Sequence, residues 1–227
     1  MDTRLHLIAT AEKLFAQRGF EAVSMREINR AAGQGNASAL HYHFGSREAL
    51  VEAIIAWRMS PVNQRRNEIL DGMVKDGREI TPRELAQALV VPLSEVAAIP
   101  VEQNGWLSFL GQIYASGTID LPEMTRRIGS GSSLRRLEKL ARAALPEIPS
   151  PILDQRVAIL IRQAVHALAE WQRSSPERPY GDQMRSLSLF AANLTDMTAA
   201  ALAVLPGDVT LQAHAASGRV RRLAPAS

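Results

Sequence analysis

Ser24-Met-Arg-Glu-Ile-Asn-Arg-Ala-Ala-Gly33, followed closely by His41-Tyr-His-Phe-Gly-Ser-Arg47, decides how this chain is read. Ser24 and Glu27, three residues apart, form a capping box, so a helix begins there with Ile28, Ala31 and Ala32 turned inward and Gly33 at its end. A short third helix follows, over about residues 37–44. Ser46 then caps a long fourth one carrying Leu50, Ile54, Ile55, Trp57 and Met59, up to Ser60-Pro61, where the proline should kink or interrupt it. Upstream, Leu7, Ile8, Ala11, Leu14 and Phe15 lie three and four apart, the pattern of a helix over about 3–18 that stops at Gly19 with Phe20 packing back. Three helices so spaced make a helix-turn-helix.

Beyond residue 60 there is almost no β alternation, and the fold class is all-α. Thr81-Pro82-Arg-Glu84 sets an N-cap, an N1 proline and an N3 acid in order, starting a helix that meets Pro92. An aromatic-bearing helix is expected around 102–115, and a helix or helix pair over 121–145 broken at Gly129-Ser-Gly131. Two long helices end the series, about 151–173 and 182–205. The first has a seam of Val157, Leu160, Ala164 and Leu168; the second has Leu187, Phe190, Leu194, Met197 and Ala201 at nearly heptad spacing. Their breadth favours an intersubunit four-helix bundle made by these nine residues over a plain core. The domain organisation expected is 1–46 for the helix-turn-helix unit, 47–76 for a connecting helix, 77–206 for an effector-binding and dimerisation domain, and 207–227 for a loose basic tail.

Composition bounds the function. A chain of 227 residues, 46% hydrophobic and 5% aromatic, can bury a substantial core. With no cysteine, disulfides and thiolate chemistry are excluded. No leader pattern opens the chain, and the least charged stretch, 186–207, is interrupted by Asn193, Thr195, Asp196 and Thr198, so a cytoplasmic protein with no membrane span is expected. The net charge of +3 permits nucleic-acid binding without arguing for it, but from Ser24 to Arg47 three arginines face one acid.

On a helical wheel centred on Leu40, Ala37, His43 and Phe44 fall on or beside the inward face, whereas Ser38, Ala39, His41 and Tyr42 fall outside it. Exposed Ser, His and Tyr on so short a helix have little packing purpose. They suit the major groove, where Ser meets either base edge, Tyr touches a thymine methyl or a phosphate, and the small Ala39 permits close approach. Ser24, Arg26 and Arg47 are placed to hold phosphates, and Gln34 and Asn36 in the turn could add amide contacts to bases.

Ala11-Glu-Lys-Leu-Phe15, Arg18-Gly-Phe20, Ser24-x-Arg26-x-Ile28, Ala31-Ala-Gly33 and Tyr42-His-Phe-Gly-Ser-Arg47 together resemble the DNA-binding domain of TetR/AcrR-type repressors. The resemblance covers Leu7 to Ile55. It implies an all-helical homodimer that binds a double-stranded operator, with a connecting fourth helix, a ligand-binding body and an interface made largely by the last two long helices. It implies DNA contacts at Ser24, Arg26, the outward face of 38–42, His43 and Arg47. One departure is Gln34-Gly-Asn-Ala-Ser-Ala39, a residue longer than the family's usual turn, which bears on where the third helix starts.

Other readings compete with these. His41 and His43, two apart on a helix, diverge by about 200° and cannot close on one metal ion, so neither metal nor cofactor is expected. Trp57, Trp106, Phe109, Leu110, Tyr114 and His166 are candidates for a pocket taking a small hydrophobic effector, although aromatics at such spacing are more often core. Pro61 and Pro92 leave the carbonyls of Trp57 and Ala88 without their helical donors, open to a ligand or, more simply, a water. A regulator of the same fold with a protein partner, or with no effector, remains an alternative. An all-α enzyme is remote, since no acid/base pair or metal-ligand spacing is evident.

Overall fold

In the computed structural model, residues 2–33, 39–75, 77–174 and 180–223 are described, without the side chains of 180, 181 and 218–223. Among them there are eleven helices and no strand: α1 (Thr3–Arg18), α2 (Met25–Ala31), α3 (Ala39–Phe44), α4 (Arg47–Lys75), α5 (Pro82–Ala97), α6 (Trp106–Ser116), α7 (Leu121–Arg127), α8 (Ser132–Ala144), α9 (Ser150–Arg173), α10 (Tyr180–Ala203) and α11 (Asp208–Leu223).

The predicted starts are built as their caps require. Both capping boxes close, Ser24 with Glu27 and Thr81 with Glu84, and the Ser46 hydroxyl accepts from the Ala49 N–H at 3.1 Å. Gly19, at φ +93°, ends α1 with its N–H on the Phe15 carbonyl. Pro61 does not interrupt α4, which runs through it for 29 residues.

α1, α2, α3 and the start of α4 close around Leu7, Ile8, Phe15, Ile28, Leu40 and Ile54, all buried. The body is built on α5, which packs against α10, α9, α4, α8 and α6. Three features join the small unit to the body. The Phe15 ring of α1 stacks on Phe109 of α6 at 5.7 Å, the Gln112 side chain donates to the Ala16 carbonyl at 3.0 Å, and Arg58 of α4 pairs with the buried Glu12 carboxylate at 2.5 Å.

Two expectations are corrected here. The part of the expected loose tail that is described is not loose: α11 is helical from Asp208 to Leu223, opened by the Leu211 N–H on the Gly207 carbonyl. Its exposed Val209 shows that local hydrogen bonding, not a core face, carries its first turns. The second concerns the proposed dimer seam. Val157, Leu160, Ala164, Leu168, Leu187 and Leu194 are buried within the single chain, because α9 turns that side to α5 and α6, and α10 packs its own on α5. Phe190 and Ala201 are half-buried, and of the nine only Met197 is exposed. No single helix among the described residues is long and apolar enough to cross a membrane.

Candidate nucleic-acid interface

Leu40, 1% exposed, anchors α3 in the core, and the unpaired N–H that starts the helix is satisfied by Asn29, whose Oδ1 accepts from the Leu40 N–H at 3.2 Å. Asn29 is itself buried on α2, so this bond fixes the angle between the two helices. Sequence reading missed it. The available signal was a polar residue beside Ile28 on an inward helical face.

On the other side of α3 His41 is exposed and Tyr42 is 84% exposed, with His43 half-buried against it, ring centroids 5.2 Å apart and edge to face. Arg26 and Arg30 of α2 are also exposed, and Arg4 of α1 lies over the Phe44 ring at 5.1 Å. A tyrosine body and imidazoles standing proud of a rigid helix, flanked by guanidinium groups, can read base edges while the cations meet phosphates.

Three site expectations change. Ala39 is buried, not outward-facing, because the first turn of α3 is drawn against the core alongside Leu40. Arg47 points inward. Its guanidinium donates to the Val23 carbonyl at 2.8 Å and to the Phe20 carbonyl, and lies 4.3 Å from the Phe20 ring centroid and 5.3 Å from that of Phe15. Ser24 uses both its N–H and its O–H as donors to the Glu27 carboxylate, which holds that acid down to about 2 and commits Ser24 to shaping α2. Gln34, Asn36 and Ser38 lie outside the described residues.

Residues 7–54 match the family model described as bacterial regulatory proteins, tetR family. Residues 7–54 thus form a domain of the TetR family. Over 69 residues it is 39% identical to the HTH-type transcriptional repressor NemR of Escherichia coli, a match spanning 30% of this chain and 34% of that protein. Over 71 residues it is 31% identical to the E. coli regulator UidR, spanning 31% and 36%. The match thus covers about a third of each of these relatives. Among solved structures, Mycobacterium smegmatis AmtR aligns over 97% of this chain and 95% of its own at 18% identity and a TM-score of 0.54. A Rhodococcus sp. protein assigned to the TetR family aligns over 86% and 100% at 17% identity and 0.50. These two share the fold beyond the matched domain.

The helical body holds a cavity of about 370 Å³ bounded by α4, α5, α6, the α7–α8 segment and α9. Leu110 and Tyr114, two of the six pocket candidates, line it. The other four do not. Trp106 and Phe109 are fully buried in the aromatic stack under α1, Trp57 lies beneath the Arg58 guanidinium at 4.1 Å, and His166 is exposed on α9. In their place the wall includes Ile55, Met59 and Val62 of α4, Ile161 and Val165 of α9, and Arg66 of α4.

Arg66 is 1% exposed, and burial holds its guanidinium down to about 10. Its Nε donates at 2.9 Å to the Ala88 carbonyl, the acceptor that Pro92 strips of its helical N–H. Its Nη1 donates to the Ser133 hydroxyl at 2.9 Å, Ser133 donates to Asn63 at 2.5 Å, and Asn63 donates to the Ser130 carbonyl at 2.5 Å. The orphan carbonyl is therefore filled by a cation of the connecting helix, not by water or a ligand.

Proposed function

We propose that this chain is a TetR-family regulator, a homodimeric transcriptional repressor whose two α3 helices enter successive major grooves of a pseudo-palindromic operator, about 34–36 Å apart. The observation that carries the reading is the His41–Tyr42 ridge, exposed on a helix whose opposite side is locked by Leu40 and Asn29. Arg26 and His43 complete the contact set, with Arg26 on phosphate. The similarity to NemR, a transcriptional repressor, supports the direction of control. The exposed Leu189 and Met197 of α10, Val204 just past its end and Ile159 of α9 offer apolar surface for a second copy.

A small, largely apolar effector fits the cavity, which lies at the lower end of the ~300–1,000 Å³ range typical of ligand sites. Four cavity residues lie on α4, the helix that starts directly after α3, so an occupant that prefers one position of α4 changes the spacing of the two readers. The family that residues 7–54 match is one of regulators.

A gel shift with the DNA flanking the chain's own gene tests the reading over a range of salt. Tyr42→Ala should weaken specific retention about tenfold, within the roughly 1–3 kcal/mol of a base contact, with helicity and dimer mass unchanged. Equal affinity for the operator would remove Tyr42 from the interface, and no specific retention by the parent chain would remove the repressor reading.

A further inference from the structure

Arg66 is a cation with no carboxylate paired to it among the described residues, in a place where an unpaired charge is costly. Its two hydrogen bonds go to neutral oxygens and hold Nε and Nη1 in place, so the fork cannot swing away. The rest of the fork, Nη2 included, has no protein acceptor among the described residues, and the residue forms part of the cavity wall. The acids around the same cavity are differently placed. Glu123 pairs with Arg126, and Glu138 lies near Arg135 and Arg142, which oppose the upward push of burial and of Asp154 on its carboxyl. Arg162 sits against the Tyr114 ring, 5.9 Å from its centroid, on the side of the cavity that α6 and α9 share. Apolar side chains make up much of the wall, with Ile55, Val62, Leu93 and Val165 within it, and Asp120, Thr125 and Arg135 lie on the α7–α8 side. Arg66 is the deeply buried guanidinium of this lining, held in one orientation and without a carboxylate among the described residues.

We propose that the cavity takes an amphipathic monocarboxylate, its carboxylate on the Arg66 fork with Tyr114 alongside and its apolar body among the α4 and α9 side chains. This rests on the cavity being the effector site. A planar fork matches a carboxylate in two parallel bonds, which an alcohol or amide cannot reproduce and an ammonium opposes. Because the same guanidinium braces α4 to the Ala88 carbonyl of α5 and to Ser133 of α8, pairing with an anion redistributes the bonds that set α4 against the body. The head group of the ligand thus acts on the helix that carries the DNA reader.

The test uses the full chain and two matched series, decanoate, decanol and decylamine, and 4-phenylbutyrate with its alcohol and amine, titrated calorimetrically and by thermal shift. In at least one series the acid should bind about tenfold or more tightly than its alcohol, the difference expected of a charge-assisted bond in a dry site, and the amine weakest. Arg66→Gln should bring acid and alcohol to within about threefold of each other, and Arg66→Lys should keep part of the preference. Leu110→Trp, which fills the chamber from α6 and leaves Arg66 in place, should abolish acid binding. The ranking in the unaltered chain needs no variant to fold. Acid and alcohol binding equally, the amine binding best, neither series binding, or acid preference surviving Arg66→Gln would each overturn the proposal. Release of operator DNA is read separately. Acid preference without release upholds the head-group assignment and removes the effector reading; release by the alcohol as readily as by the acid does the reverse.

Discussion

Arg47 shows how a charged side chain beside a DNA-reading helix can serve the fold. The guanidinium ties the loop before α2 to the start of α4 through two carbonyls and lies against two phenyl rings. Removing it leaves those carbonyls with one donor fewer and takes away the cation–π contacts, so Arg47→Ala should cost about 2–4 kcal/mol by urea unfolding. An unchanged midpoint and slope would return Arg47 to the phosphate-binding set. Tyr42 is the opposite case, since so exposed a side chain contributes little to the fold. Its variant should lose affinity and keep stability.

The helices are set by their ends. Glu84 closes the capping box of α5 and receives Arg78, and these contacts hold its carboxyl at about 2, below the ordinary 4.5; the Arg78 bond is the largest cause and the Thr81 N–H the next. A carboxylate with a lowered folded-state pKa contributes stability that is present above 4.5 and lost as pH falls from there toward 2. Glu84→Gln should therefore be less stable than the parent at pH 6, and the two should converge as pH approaches 2. A gap that persists through that window would mean the carboxylate charge is not what stabilises α5. These boxes were legible because every atom involved lies within four residues of the cap. Asn29 and Arg66 were not. The run Gln64-Arg-Arg-Asn-Glu68 reads as a solvated face, and only the packing of α5 and α8 onto α4 takes Arg66 out of water.

For the molecule as a whole, what matters is how rigidly the reader is joined to the body. A Cβ on Gly105 would meet the Ala16 Cβ at 2.7 Å, so this glycine permits the close approach of α1 to the start of α6. Gly105→Ala should push that seam apart and destabilise by about 1–3 kcal/mol in chemical unfolding. No loss would mean that the contact yields freely. Assembly is tested on the opposite side: Met197, 52% exposed on α10, contributes little to the subunit's own core. Met197→Glu should give a folded monomer in sedimentation, with operator affinity reduced at least tenfold, because one half-site then binds without its twin. A dimer of unchanged mass would move the interface away from this stripe.

Local chemistry was enough to establish an all-helical chain, the positions of its caps, the trihelical unit around Leu7 and Leu40, and an outward His41 and Tyr42. Each follows from hydrogen bonds or side-chain periodicity within a few residues, which no distant contact had to supply. Packing chose the rest. Helices α6, α9 and α10 carry apolar residues on more than one side, and periodicity cannot say which side meets a neighbour in the same chain and which is left for another molecule. Trp106 and Phe109, expected in the pocket, went to the seam under α1, and six of the nine residues of the seam expected between subunits went into the core. The charge at the cavity wall came from a polar run of α4 that the sequence reading left unassigned, because burial depends on partners more than sixty residues away in the chain as well as on close ones.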